Sequence, residues 1–293
     1  MENTKIQWHP AFVAAMNLEL TDNRENLIFE KEYNLNTKPL EIDLLIIKKE
    51  HNIPIKNEIG HIFKGHNIIE YKSPADQLDI DTFYKSSAYA CLYKSYGKTL
   101  NERKADDITV SIVRDSKPRE LLKYLKAHGF SVSMPHNGIY YVNKKVLFST
   151  QIIVTRELDE DNHTWLRVLS QNVKTRDAQR LVNSLQHLKS NFDRELADSV
   201  LKVMIDANRQ LLDEWKGDNS MFEYLMEIVE PQVRLREESE HKKGIQQGIQ
   251  LGIRTTIDSL RDFGHNDSDI KSTIMRRYHL SDQEADEYFT KSP

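Results

Sequence analysis

EIDLLIIKK at 41–49 and HNIIEYKSP at 66–74 are the two stretches on which the fold turns. Asp43 stands among Ile42, Leu44, Leu45, Ile46 and Ile47. Glu70 follows Ile68 and Ile69, with Lys72 two residues on. Short β-branched runs bounded by turn residues read as strands, and Pro74 stops the second. Side chains alternate along a strand, so Glu70 and Lys72 project from one face about 6.6 Å apart at the backbone, while Ile69 and Tyr71 pack on the other. A carboxylate left alone among apolar residues is driven towards its neutral form. Buried charges in such a setting call for a partner or a ligand.

The flanking segments set these strands in order. HPAFVAAMNLEL (9–20) carries Phe12, Val13, Met16 and Leu20 at helical spacing. LIFEKEYNL (27–35) and LEIDLLII (40–47), joined by NTKP, read as a hairpin. DIDTFYKSSAYACLYKSYG (79–97) predicts a helix capped by Asp79 or Asp81, with Phe83, Ala88, Leu92 and Tyr96 on one face and Gly97 at its end. DITVSIVRD (107–115) is a fourth strand, and PRELLKYLKAHGF (118–130) a helix with proline in its first turn. GIYYVNKK, VLFSTQIIVTREL and HTWLRVLSQ read as further strands out to about Gln171. This order indicates a mixed α/β core around a central sheet.

Beyond Val173 the strand signals stop, and amphipathic helices are expected over 175–190, 193–215 and 219–230. GIQQGIQLGIRT then aligns Ile245, Ile249 and Ile253, continued by Ile257 and Leu260. Glycine inside a helix costs about 1 kcal/mol relative to alanine, so such a helix must gain its order from close packing. Short helices over 267–278 and 281–290 follow, the second opened by a Ser281–Glu284 capping box. The helical trio reads as a dimerisation or docking unit ahead of a DNA-reading helix-turn-helix. The expected organisation is an α/β domain over 1–172, a helical region over 173–230 and a helical tail over 231–293.

Bulk composition excludes several classes. Hydrophobic content of 39% and charged content of 29%, with few Gly and Pro, describe a globular chain and not a disordered one. No window reaches the roughly 20 apolar residues of a membrane span, and MENTKIQWHP lacks signal-peptide character. Cys91 is the single cysteine, so intrachain disulfides and cysteine-rich zinc sites are excluded. A cytoplasmic protein is the expectation. A net charge of -4 argues against non-specific coating of nucleic acid.

An acid-x-lysine triplet by itself carries little information, because the chain holds six of them. Only Glu70-Tyr71-Lys72 follows directly on a strand-like run. If its strand neighbours that of Asp43, both carboxylates and the Tyr71 carbonyl can bind one Mg²⁺, which prefers oxygen ligands and keeps several waters. Lys72 then stands where an ammonium orients the attacking water and offsets charge on a phosphate. A structural salt bridge among Asp43, Glu70 and Lys72 is the plainer interpretation of the same residues.

Asp43 followed by Glu70-Tyr71-Lys72, in the order helix, hairpin, strand, helix, strand over roughly residues 9–115, resembles the PD-(D/E)XK nuclease superfamily. Within it the chain looks most like the bacterial recombination-promoting nucleases and PD-(D/E)XK family transposases, which similarly end in helical tails with glycine-containing repeats. Ile42 departs from the family pattern, which has proline before the aspartate. The resemblance implies a restriction-endonuclease-like core and Mg²⁺-dependent DNA endonuclease activity, with Mn²⁺ able to substitute, in recombination, mobile-element biology or defence. RNA as substrate stays open. So does a non-cleaving binding or regulatory protein that assembles through its C-terminal helices, and a homodimer through those helices is open to the nuclease as well. The resemblance also implies an extra acid on the first helix, where Glu19 fits by position with Glu32 as rival. It further implies nucleic-acid contacts from Tyr84, Lys85 and Tyr89 on the following helix, although core packing suits the two tyrosines. His61 and His66 flank the site in sequence, and surface positions are expected for them.

Overall fold

The computed structural model describes residues 6–34, 41–50, 53–208, 248–278 and 280–290. Helix α1 (Trp8–Glu19) leads into a hairpin of β1 (Leu27–Asn34) and β2 (Glu41–Lys48). Strand β3 (His66–Lys72), helix α2 (Ile80–Ser95) and strand β4 (Ile108–Arg114) follow. Then come α3 (Arg119–Ala127), β5 (Ser131–His136), β6 (Ile139–Asn143), β7 (Ser149–Val154), α4 (Thr164–Arg167), α5 (Thr175–Gln186) and α6 (Asn191–Ala207). The strands form one mixed seven-stranded sheet in the order β1-β2-β3-β4-β7-β6-β5. β3, β4 and β7 run parallel at its centre, and the flanking pairs are antiparallel.

Helices cover both faces, which is why the central strands are continuous apolar runs. On one face Ile68 and Ile112 pack with Phe83 and Tyr93 of α2 and Leu125 of α3. On the other, the Tyr71 ring stacks on Phe12 of α1 with centroids 4.4 Å apart. Asn67, wholly buried, holds the middle of the sheet together. Its amide donates to the carbonyls of Ile46 (3.1 Å) and Lys64 (2.7 Å). Its carbonyl oxygen accepts from the Thr109 hydroxyl (2.7 Å) and the Lys64 N–H (2.8 Å).

Several expectations need correction. HTWLRVLSQ is not a strand: it holds the short helix α4, and Leu166, Val168 and Leu169 are buried without joining the sheet. β5 was not expected, because SVSMPH is largely exposed and offers no apolar run. Asp79 caps α2 by accepting from the Thr82 N–H at 2.9 Å, but the buried face is Phe83, Ser86, Tyr89, Ala90 and Tyr93. Ala88 and Tyr96 are exposed. Small residues alternating with rings let this helix lie close to the sheet, and a purely apolar template overlooks Ser86.

The chain divides into two compact units, 1–219 and 220–293. α6 belongs with the sheet because Asp193 pairs with Arg24, and Asn208 ties the Val173 N–H to the Ser170 carbonyl. The helix expected over 219–230 and Ile245 lie outside the described residues. Within the second unit, α7 (248–262), α8 (Asp267–Tyr278) and α9 (Asp282–Thr290) enclose Ile253, Ile257, Ile270, Ile274 and Ala285. Ile249 of the expected stripe is 46% exposed. A Cβ on Gly252 would stand 3.3 Å from the Tyr278 hydroxyl, so this glycine serves close helix approach. The Ser281–Glu284 capping box is present, with each residue bonding the other's backbone N–H. Among the described residues, no helix is long and apolar enough to cross a membrane.

Asn67→Ala would strand buried polar groups on three segments. The expected loss is about 2–4 kcal/mol of unfolding free energy, measured by urea denaturation. A loss below about 0.5 kcal/mol would show that the network is not what joins β2 to β4.

Candidate functional site

The site forms where the sheet stops being regular. β2 and β3 pair from Ile47–His66 to Leu44–Ile69, and there the ladder ends. One step further the Asp43 carboxylate takes the place of a backbone partner: its Oδ2 accepts the Tyr71 N–H at 2.8 Å. On the other side of β2, the β1 register passes from Lys31–Leu44 to Tyr33–Ile42 and skips Glu32, whose φ is +49°. Ile42 and Leu45, three residues apart, both pack in the cluster beneath α2, which strict alternation forbids. The break in the pleat thus centres on Asp43 and its neighbour Glu32.

Glu70, one residue beyond the last ladder pair, is 3% exposed. Its Oε2 lies 3.4 Å from the Lys72 ammonium, and its Oε1 is buried with no hydrogen-bond partner among the described residues. Burial, and then the charge of Asp43, push its pKa up to about 8; the Lys72 and Lys85 ammoniums oppose this. Burial also raises Asp43, against the pull of the Tyr71 N–H, His9, Lys72 and Lys85. The two carboxylates are therefore close enough to repel, in a place with too little positive charge to keep both ionised.

The first helix contributes His9, not Glu19. His9 Nε2 is 3.8 Å from Asp43 Oδ2, and its ring meets Tyr71 edge-on at 5.6 Å. His9 and Phe12 are one turn apart and share the face that covers Tyr71, a pairing the sequence spacing already contained. Glu19 sits ten residues on, about 15 Å along the helix. There it is buried, bonding His163 Nδ1 (3.1 Å) and the Leu166 N–H (3.1 Å), and it takes no part in the Asp43 cluster. Glu32, the rival, does line the same cleft as Asp43, a cavity of about 370 Å³ shared with His9 and Lys31.

Of the three α2 residues, Tyr89 belongs to the core at 6% exposure. Tyr84 is exposed. The Lys85 ammonium lies 5.5 Å from the Tyr89 ring. Its pKa is raised by the Tyr89 hydroxyl and, more weakly, by Glu70 and Asp43. Neither flanking histidine joins the cluster: His61 faces His136 at 3.2 Å, and His66 bonds the Tyr93 hydroxyl at 2.8 Å.

Among the described residues, no group of three or more His, Cys, Asp and Glu side chains is arranged to hold a metal. Two carboxylates and a carbonyl, the oxygen-only set of Asp43, Glu70 and Tyr71, suit Mg²⁺, which is commonly held by one or two carboxylates. The bare Glu70 Oε1 and the shortage of positive charge fit such an ion. No family model, no curated protein and no solved structure matches the chain.

Burial holds the Glu70 proton up to about pH 8 in the folded state, against about 4.5 for an ordinary glutamate. Between those values the folded state binds more protons than the unfolded one, so stability falls as pH rises. In metal-free buffer, Glu70→Gln should melt progressively higher than wild type as pH goes from 5 to 8. Parallel melting curves across that range would exclude the assignment.

Proposed function

We propose that the chain is a Mg²⁺-dependent DNA endonuclease of PD-(D/E)XK type, with Asp43, Glu70 and Lys72 as its catalytic residues. The observation that carries this reading is the convergence of the buried Glu70 carboxylate, the half-buried Asp43 carboxylate and one ammonium at the end of the β2–β3 ladder. Asp43, Glu70 and the Tyr71 carbonyl would hold the metal. Bound there, Mg²⁺ would supply positive charge, polarisation of the phosphodiester and activation of water as nucleophile.

The protein's own groups have separate tasks. The Tyr71 N–H fixes Asp43 Oδ2, and the Phe12 stack keeps the Tyr71 backbone in place. Lys72, held beside Glu70, places its ammonium to offset charge growing on the phosphate oxygens. His9 borders Asp43 on the cleft side, and Lys85 approaches from α2. Tyr84 and Lys85 are the α2 residues suited to contact the substrate; Tyr89 supports Lys85 from the core.

A second reading keeps the scaffold without cleavage, as a binding or regulatory protein. It is favoured by the bonds that one oxygen of each carboxylate already makes: Asp43 Oδ2 accepts a backbone N–H and Glu70 Oε2 meets Lys72. Titration calorimetry separates the two, since only the hydrolase requires Mg²⁺ or Mn²⁺ to bind at Glu70.

Plasmid DNA should be nicked in Mg²⁺ and not in EDTA. Asp43→Ala and Lys72→Ala proteins of unchanged circular dichroism should lose at least about a hundredfold of the rate. Undiminished nicking by both variants would refute the assignment.

A further inference from the structure

A second cleft, of about 650 Å³, opens between the start of α2 and helix α3. It adjoins the candidate site through the sheet, because Arg114, at the end of β4 and on its wall, is the register partner of Lys72 on β3. The Arg114 Nε is buried with no hydrogen-bond partner among the described residues. Arg119 and Lys123, one turn apart on α3, are exposed and form no ion pair among the described residues. Lys117, in contrast, is engaged by Tyr140 and Glu157. Two acids border the cleft: Asp79, occupied in capping α2, and Glu120 in the first turn of α3.

Aromatic surface lies beside these cations. The exposed Tyr124 and His128 rings stack on each other with centroids 3.8 Å apart and planes within 17°. Bonding between His128 Nδ1 and the Tyr124 carbonyl at 2.8 Å fixes the pair. Cations along a groove with a flat ring surface at its side suit a strand whose bases are free to stack. A paired duplex offers its phosphates but not its base faces.

We propose that this cleft binds an unpaired nucleic-acid strand next to the position at which Asp43, Glu70 and Lys72 act. Its phosphates meet Arg114, Arg119 and Lys123, and a base stacks on the Tyr124–His128 pair. The binding surface stands on its own observations; that the bound strand is the one cut rests on the hydrolase reading above. An end, flap or gap would then be the preferred substrate over intact duplex.

The test uses the full chain in EDTA, with fluorescence anisotropy of a labelled oligo-thymidine and of a duplex of equal length. Wild type should prefer the single strand. Arg119→Ala/Lys123→Ala should weaken single-strand binding about tenfold or more and lower the salt dependence by about 0.7 per cation removed. Tyr124→Ala should lose about fivefold or more on the single strand and little on the duplex, while Tyr124→Phe keeps wild-type affinity. Equal binding by wild type and variants, or no single-strand binding by wild type, overturns the proposal whatever the nicking assay gives. Weakened variants of a wild type that nicks nothing in Mg²⁺ would uphold the cleft and remove the hydrolase reading alone.

Discussion

One hydrogen bond organises the candidate site: the Tyr71 N–H held at 2.8 Å by the Asp43 carboxylate. A buried backbone donor must find an acceptor, and the antiparallel ladder would ordinarily provide one from β2. By ending the ladder at Leu44–Ile69 and substituting a side chain, the chain parts two strands without orphaning the donor. That carboxylate is consequently fixed close to Glu70, where its charge adds to the burial that raises the Glu70 pKa. The repulsion between the two carboxylates follows from this one substitution.

Rigidity around the break comes from groups that do no chemistry. Phe12 stacks on Tyr71 from one face, and the α2 cluster closes the other. Asn67, four residues before Tyr71, spends its side-chain amide on β2, β4 and the preceding loop. Buried polar groups satisfied in this way give a sheet that tolerates a local interruption at its end. At the far end of α1, Glu19 and His163 perform a similar structural task, joining that helix to α4.

Where apolar pattern and local chemistry agree, the sequence was legible. β2, β3 and β4 are short β-branched runs, and α2 has an aspartate cap followed by helical spacing. Asp43 and Glu70 were visible because acids within such runs are costly. Other features were hidden for physical reasons. SVSMPH forms β5 only because β6 offers it an edge to pair with. HTWLRVLSQ has strand-like composition, yet its apolar residues are buried as a short helix and its flanks, with the Leu166 N–H bound to Glu19. Position on α1 suggested Glu19 for the site, but the helix presents its His9 end there.

From the chain alone came the identity of the acids, the ammonium two residues past the second, and the order of elements that could bring them together. Such information is local: periodicity, caps and the cost of charge among apolar neighbours act within a few residues. Only the tertiary structure decided that β2 and β3 part at Asp43, that His9 is the α1 residue beside it, and that Arg114 continues the line of Lys72 into a second cleft. Those relations depend on strand register and helix direction, which are set by contacts between segments remote in sequence.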